Sequence, residues 1–236
     1  YEIYPRYSYS SNEKKGLSNP VVGRTIEDKN GNLWIGTEGG GLNYYNRRTR
    51  EFKWYRPQEG RNSISHNNVK ALYYDADKEI IWIGTHLGGL NKLDIRSGHF
   101  THYRMEGNNP QSLPSDIIRD ITPYKDLLII ATQNGVCLFN PANGQCRQLF
   151  KDSKEGKSIK MVADVVFDSE GTLWIAATGE GVFSYRFDTR KLTNYRHDAA
   201  NPNSLSNNNV NNITQDSKGN LWFSTSGSGL DLYRPE

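Results

Sequence analysis

The chain repeats one short sequence five times. The segments "LWIGT", "IWIGT", "LWIAA" and "LWFST" place Trp34, Trp82, Trp174 and Trp222 at equivalent positions, and "LIIAT" places Ile129 there. Successive positions lie 45 to 48 residues apart. Self-similarity with a period of roughly 20 to 50 residues is typical of repeat architectures. The spacing therefore predicts five copies of one structural unit.

Each unit is predicted to contain four antiparallel strands. A first strand such as "NVKALYYD" precedes a polar turn such as "DKNGN", and the second strand carries the tryptophan. A Gly-rich bend, a third strand such as "LNYYN", a second polar turn and a fourth strand such as "FKWY" follow. The units span approximately residues 17–55, 64–103, 113–150, 159–195 and 205–233. Helical periodicity is absent at useful length, so the prediction is all-β.

Four-stranded units of this length with a recurring tryptophan are typical of a β-propeller, in which each blade packs both faces against its neighbours. We therefore predict a single β-propeller domain over residues 1–236. Gly36 and Gly84 would let a neighbouring blade approach the backbone closely. The four tryptophans and Ile129 are interpreted as core between blades, not as a ligand platform.

The two ends of the chain bear on ring closure. The last unit stops after its third strand, and Tyr1-x-x-Tyr4 matches the spacing of a fourth strand. Residues 1–7 are predicted to supply an outer strand that closes the last or preceding blade, which would remove exposed sheet edges. A five-blade portion of a larger, seven-bladed ring would leave the same overhang. A closed five-bladed ring and such a portion both remain open at this point.

The composition argues against nucleic-acid binding and against a membrane-spanning segment. The 29 Lys and Arg residues against 26 Asp and Glu residues give a net charge of +3, and both signs are scattered along the chain. Nucleic-acid binding is therefore not expected. The longest aliphatic run, "LLII" at residues 127–130, is far shorter than the roughly 20 residues needed to span a bilayer.

No metal or cofactor is predicted. Cys137 and Cys146 lack the spacing of a zinc site and flank a predicted hairpin turn, where either a disulfide or two free buried thiols would fit. Four aspartates recur before the second strand, and one such turn supplies too few oxygens for calcium. We interpret them as turn-forming residues: Asp28, Asp75, Asp168 and Asp216.

The composite "N-S-L-S-x-N-x-V-x-x-I-x-x-D-x-x-G-x-L-W-x-x-T-x-x-x-G-L", at residues 203–230 and again at 17–42, resembles the regulator-propeller repeat of hybrid two-component systems. The third unit departs most, with Ile129 for Trp, and the fourth has Ala177 for Thr. The resemblance implies a fragment or divergent version of the periplasmic sensor region of a membrane-anchored histidine kinase. It further implies oligosaccharide detection, signalling by dimer or domain rearrangement, homodimerisation through the parent receptor, and membrane attachment through other parts of that receptor.

Two other functions remain as alternatives. A carbohydrate-active propeller enzyme, a lyase or a glycosidase, needs convergent carboxylates in the central channel, and a protein-interaction scaffold needs a large apolar patch. Polar side chains of the first strands are predicted to line the channel: Arg24, Lys70, Arg119, Asp120, Asp164, Asn211 and Asn212. Because Asp120 and Asp164 are the only acids in this set and basic residues lie nearby, the domain is predicted to be non-catalytic.

Ligand contacts are predicted from topology. In a propeller, the connection between blades and the bend between the second and third strands emerge on the same face. Six residues on these segments are the candidate contacts: Glu38, His66, Asn67, His86, Arg119 and Asn208. A polar, Asn-rich rim suits a sugar or peptide better than a lipid.

Overall fold

The computed structural model describes residues 5–235 and contains five antiparallel sheets, which we call blades 1 to 5 in chain order. Within these residues the only helical segments are two single 3-10 turns, at Glu13–Lys15 and Gly156–Ser158. The all-β, blade-based prediction is confirmed.

Consecutive strands are neighbours within every blade. Blade 1 contains β1 (Val22–Glu27), β2 (Leu33–Thr37), β3 (Leu42–Asn46) and β4 (Glu51–Tyr55), and blade 2 contains β5 (Val69–Asp75), β6 (Ile80–Thr85), β7 (Leu90–Asp94) and β8 (Phe100–Tyr103). Blade 3 contains β9 (Ile118–Tyr124), β10 (Leu127–Thr132), β11 (Gly135–Phe139) and β12 (Cys146–Gln148). Blade 4 contains β13 (Val162–Phe167), β14 (Leu173–Ala177), β15 (Gly181–Arg186) and β16 (Lys191–Tyr195). Blade 5 contains β17 (Val210–Gln215), β18 (Leu221–Thr225) and β19 (Gly229–Tyr233).

Blade 5 has three strands among residues 5–235. The predicted outer strand at residues 1–7 lies mostly outside the described residues, since these begin at residue 5. Residues 5–7 are not in a strand. The ring of Tyr7 instead packs on blade 1, with its centroid 4.9 Å from that of Tyr45 and 6.0 Å from that of Phe52.

The described chain divides into two compact units. The first comprises residues up to 104 together with 116–118, and the second comprises residues 105–115 and those from 119 onward. Blades 1 and 2 belong to the first unit. Blades 4 and 5, and blade 3 apart from Ile118, belong to the second.

Apolar cores form between consecutive blades inside each unit. In the first unit, Trp34 and Leu42 of blade 1 pack with Val69, Ile81 and Ile83 of blade 2. In the second unit, one cluster joins blades 3 and 4 and includes Ile129, and another joins blades 4 and 5 and includes Trp174. Trp82 is also buried, whereas Trp222 is half-buried. Burying apolar area between sheets supplies the main favourable free energy of such a fold.

Three of the recurring tryptophans donate a hydrogen bond to the recurring aspartates. The indole N–H of Trp34 donates to Oδ2 of Asp28 at 3.2 Å, and Oδ1 of the same carboxylate accepts the backbone N–H groups of Asn30 and Asn32. Equivalent indole bonds have lengths of 2.7 and 3.0 Å and join Trp174 to Asp168 and Trp222 to Asp216. One carboxylate therefore orders the turn and satisfies the buried indole donor.

Two glycines allow the close blade-to-blade approach that the sequence predicts. A Cβ added at Gly36 would lie 2.7 Å from Cγ1 of Val69 in the next blade. One added at Gly84 would lie 2.5 Å from Cγ2 of Ile118. Carbon atoms this close would overlap, so neither position has room for a side chain. The prediction for both glycines is confirmed.

Cys137 and Cys146 form a disulfide, which resolves the alternative left open by the sequence. Cys137 lies in β11 and Cys146 lies in β12, with the two Cα atoms 5.9 Å apart, within the usual range for a disulfide. The bond ties the three-residue strand β12 to its neighbour.

We expect Gly36→Ala to lower the free energy of unfolding by about 1–3 kcal/mol, because the methyl group forces Val69 and its strand outward. Urea unfolding followed by tryptophan fluorescence measures the change. Gly107→Ala is the control, since an added Cβ there meets nothing within 4 Å. Equal stability of the two variants would contradict close packing at Gly36.

Asp216 should make stability depend on pH in the acid range. Hydrogen bonds from Asn220 and the Trp222 indole hold the pKa of Asp216 below its ordinary value of 3.8. A depressed folded-state pKa gives a stabilisation that is complete above about pH 4 and is lost as the pH falls below it.

Asp216→Asn should therefore lower the urea midpoint at pH 7, and its difference from the wild type should shrink as the pH falls below about 4. Urea midpoints measured between pH 7 and pH 3 test this expectation. Asp77→Asn, at an exposed position, is the control. A difference that does not vary with pH would contradict the assignment.

Candidate functional site

The connections between blades are held in fixed conformations by their serines. In three of them the first serine of the Ser-Leu or Ser-Ile motif accepts a 2.9 Å hydrogen bond from a backbone N–H near the start of the connection. These serines are Ser63, Ser112 and Ser204. The aliphatic residue after each serine is buried: Ile64, Leu113 and Leu205. The repeated motif therefore specifies an ordered loop.

A polar residue of the third strand anchors the end of the connection. The amide of Asn91 accepts the backbone N–H of Ser65 at 2.8 Å and donates to its hydroxyl at 2.7 Å. The pair Asn43 and Ser18 forms the same two bonds, at 2.8 and 2.6 Å. In blade 5 the carboxylate of Asp231 accepts both the N–H and the O–H of Ser206.

The bend after the second strand lies against the next connection, as the topology predicts. In the first unit, the backbone N–H groups of Gly39 and Gly41 donate to the carbonyl of Asn67 at 3.2 and 2.7 Å. The corresponding bond in the second unit joins the N–H of Gly181 to the carbonyl of Asn208 at 3.0 Å. Bend and connection therefore form one polar edge.

Four of the six candidate contacts meet at this edge in the first unit. Glu38 forms a backbone bridge with Asn68, and the backbone N–H of His86 donates to the carbonyl of Asn68 at 2.9 Å. Glu38 and Asn67 are exposed, while His66 and His86 are half-buried. We call Glu38, His66, Asn67, Asn68 and His86 the first-unit rim.

Glu38 is paired with a predicted channel residue. Its Oε1 accepts a hydrogen bond from the ammonium of Lys70 in β5. This hydrogen bond and the charge of Lys70 hold the pKa of Glu38 below its ordinary value. Glu38 is therefore ionised at neutral pH and offers its remaining lone pairs to a donor.

His66 is held in its neutral form. Its Nδ1 accepts the backbone N–H of Asn68 at 3.1 Å, which requires that this nitrogen carries no proton. Burial lowers the pKa of His66, and the nearby His86 and Arg104 lower it further. Nε2 of His66 is then the donor of the ring.

Two polar atoms of the rim are buried without a hydrogen-bond partner. They are Oδ1 of Asn68 and Nδ1 of His86. A buried polar atom that lacks a partner costs about 1–3 kcal/mol. A ligand hydroxyl or a bound water that reaches these atoms would recover that free energy.

Arg119 and Asn208, the other two candidates, belong to the second unit. The side-chain oxygen of Asn208 accepts the backbone N–H of His197 at 2.7 Å, so this residue orders its own connection. Arg119 is half-buried in β9.

The two acids predicted to line the channel are buried in blade-to-blade bonds. Oδ2 of Asp120 accepts the backbone N–H of Val165 at 3.3 Å. Oδ2 of Asp164 accepts the N–H of Ile213 at 2.8 Å and the amide of Asn212 at 3.0 Å. Both aspartates are about 5–6% exposed. Their carboxylates join consecutive blades.

The other predicted channel residues differ in exposure. Arg24, Asn211 and Asn212 are exposed, and Lys70 is half-buried beside Glu38. The amide of Asn211 donates to the hydroxyl of Ser226 at 2.6 Å. Lys70 is therefore the channel candidate that also contacts the first-unit rim, through Glu38.

Sequence reasoning missed Asn68. Its backbone pairs with Glu38 in the bend of blade 1 and accepts the N–H of His86 in the bend of blade 2. A signal was present, because Asn precedes the aligned valine in "SHNNV" and again in "SNNNV". In the second unit the carbonyl of the equivalent Asn209 accepts the N–H of Ser226 at 2.8 Å. Recurrence of this asparagine thus reflects a repeated backbone contact.

A known protein family has a repeat that matches three of the five units. The family model for the two component regulator propeller matches residues 16–39, 63–86 and 204–227. These three segments match the regulator-propeller repeat. The matched segments begin at Gly16-Leu17, Ser63-Ile64 and Ser204-Leu205 and end in the bend after the tryptophan strand. They contain the turn and the bend described above. The sequence resemblance is confirmed in units one, two and five.

Solved structures share the fold. The chain is similar to the extracellular domain of a protein named as a hybrid two component system of B. thetaiotaomicron, with 22% identity and a TM-score of 0.75, over 97% of this chain and 29% of that one. A second such domain from B. thetaiotaomicron shows 23% identity and a TM-score of 0.68, over 95% of this chain and 35% of that one. The chain thus spans about a third of the length of these structures.

A search of curated protein sequences finds no match to this chain. Among the described residues, no helix has the length and apolar character required to cross a bilayer.

Removing a third-strand anchor should destabilise the first unit. Asn91→Ala leaves the backbone N–H of Ser65 without its acceptor, which should lower the free energy of unfolding by about 1–3 kcal/mol. Asp77→Ala, at an exposed position of the same unit, is the control and should cost less. Urea unfolding compares the two variants, and equal losses would contradict the anchoring role of Asn91.

Proposed function

We propose that this chain is part of the periplasmic sensor region of a membrane-anchored hybrid two-component kinase, and that it binds an oligosaccharide. The regulator-propeller repeats carry this proposal, because their description ties them to two-component regulation. The similar solved structures are extracellular domains of proteins named as such systems. The Cys137–Cys146 disulfide also suits an oxidising compartment.

The first-unit rim supports a sugar ligand. Sugar hydroxyls both donate and accept hydrogen bonds, and the rim offers the carboxylate of Glu38 as acceptor and Nε2 of His66 as donor. The buried atoms Oδ1 of Asn68 and Nδ1 of His86 add two groups that lack partners. Such mixed, closely spaced polar groups favour a hydroxyl-rich ligand over a lipid.

We propose that the domain binds its ligand without chemical conversion. A glycosidase needs two carboxylates free to act at the bond that is broken. Asp120 and Asp164, the acids of the first-strand set, are buried and accept backbone hydrogen bonds from the next blade. Signalling would then follow from a difference in ligand affinity between two arrangements of a receptor dimer.

Calorimetric titration with xylo-, arabino-, manno- and cello-oligosaccharides tests the proposal. We expect one class to bind, and Glu38→Gln and His86→Ala each to weaken its binding about tenfold, the loss expected for a hydrogen bond to a ligand. His99→Ala is the matched control, because His99 is an exposed histidine on the turn before β8 of the same unit.

Chromatography of the recovered sugar separates binding from turnover. An intact sugar agrees with a sensor, whereas shortened products would favour the enzyme alternative. Wild-type affinity in both rim variants would contradict the site, and failure of every saccharide to bind would contradict the ligand class.

A further inference from the structure

The second unit contains a cavity with a strongly basic lining. Its volume is about 350 Å³, and three lysines contribute to its wall: Lys151, Lys157 and Lys160. The amide side chains of Asn134 and Gln148 also line it. None of the carboxylates among residues 5–235 does so. We call this space the lysine cavity.

The cavity arises where blade 4 departs from the repeat. In blades 1, 2 and 5 the connection ends in a serine that an Asn or Asp of the third strand anchors. In blade 4, Lys160 replaces that serine and Phe183 replaces the Asn or Asp. Phe183 is fully buried, and its side chain has no hydrogen-bond acceptor. Lys160 is exposed and lines the cavity instead.

The segment that carries the lysines is fixed to the protein. Gly156 is buried, and a Cβ there would lie 2.3 Å from Cβ of Phe150, so the backbone lies directly on that side chain. Ile159 is 4% exposed and belongs to the core between blades 3 and 4. The N–H of Lys157 donates to the carbonyl of Ser153 at 3.2 Å. The lysine backbones are thereby held in place around the cavity.

Positive charge is concentrated on this segment. Residues 151–160 contain four lysines and two carboxylates, whereas the whole chain has a net charge of only +3. The equivalent connection of residues 196–205 has one arginine and one aspartate. Clustered ammonium groups raise the local concentration of anions and bind phosphate-like groups as point charges.

We infer that the lysine cavity binds a small molecule that carries an oxyanion, namely a phosphate, sulfate or carboxylate group. The ammonium groups of Lys157 and Lys160 bind the anion by charge-assisted hydrogen bonds. A volume of about 350 Å³ lies within the range of small-molecule sites. This inference does not depend on the proposed function, because the first-unit rim shares no residue with the cavity.

Calorimetry with four ligands that share a hexose ring tests the inference. Glucose 6-phosphate, glucose 6-sulfate, glucuronate and glucose are titrated into the chain at constant ionic strength. We expect one-to-one binding of at least one charged ligand and none of glucose. Which charged ligand binds most tightly then identifies the oxyanion as a phosphate ester, a sulfate ester or a carboxylate.

Two double variants distinguish a site from general attraction. Lys157→Gln with Lys160→Gln removes two lysines of the cavity, and Lys154→Gln with Lys218→Gln removes two exposed lysines of the same unit. The first should weaken binding at least tenfold, and the second should leave it within twofold. Thermal melting of both variants checks that they are folded.

Three results would overturn the inference: no binding of any charged ligand, equal binding of glucose, or equal weakening in the two double variants. Each leaves the rim of the first unit and its saccharide test unaffected. Failure of the saccharide titration, conversely, leaves the lysine cavity unaffected.

Discussion

The hydrogen bond between a turn aspartate and a buried indole underlies the repeat. An indole N–H buried without a partner would cost several times what its hydrogen bond contributes, so the tryptophan can enter the core only if an acceptor accompanies it. Asp28 meets this need for Trp34 while ordering its own turn. Blade 3 shows the converse, because Ile129 has no donor to satisfy and no aspartate stands at the aligned position. Core and turn are thus coupled through one carboxylate.

A second set of polar bonds determines what each blade presents to solvent. Where Asn43, Asn91 or Asp231 anchors a serine, the connection is tied to its blade. Blade 3 has Cys137 at that position, and its disulfide joins β11 to β12. Blade 4 has Phe183 there, which cannot anchor Lys160 through its side chain, and Lys160 lines the lysine cavity. Departures from the repeat are therefore the positions at which one blade acquires a chemistry that its neighbours lack.

Much of the fold could be predicted because its signals are local. Alternation, turn residues and the tryptophan period specify strands and blades, and Gly36 indicated a close approach that the structure contains. The first-unit rim was predicted in part, since topology brings a bend and a connection together. The pairing of Glu38 with Lys70 and the role of Asn68 could not be predicted, because both depend on contacts between different blades.

The sequence by itself determined the repeat, the strand order within each blade and the kind of core, since these follow from turn chemistry and burial within about 45 residues. Only the tertiary structure decided which polar side chains remain available. Asp120 and Asp164 look like channel acids in the sequence, yet each accepts a backbone N–H from residues 45 and 49 positions later, in the next blade. A bond across one full repeat depends on how neighbouring sheets pack, and no local pattern encodes that distance.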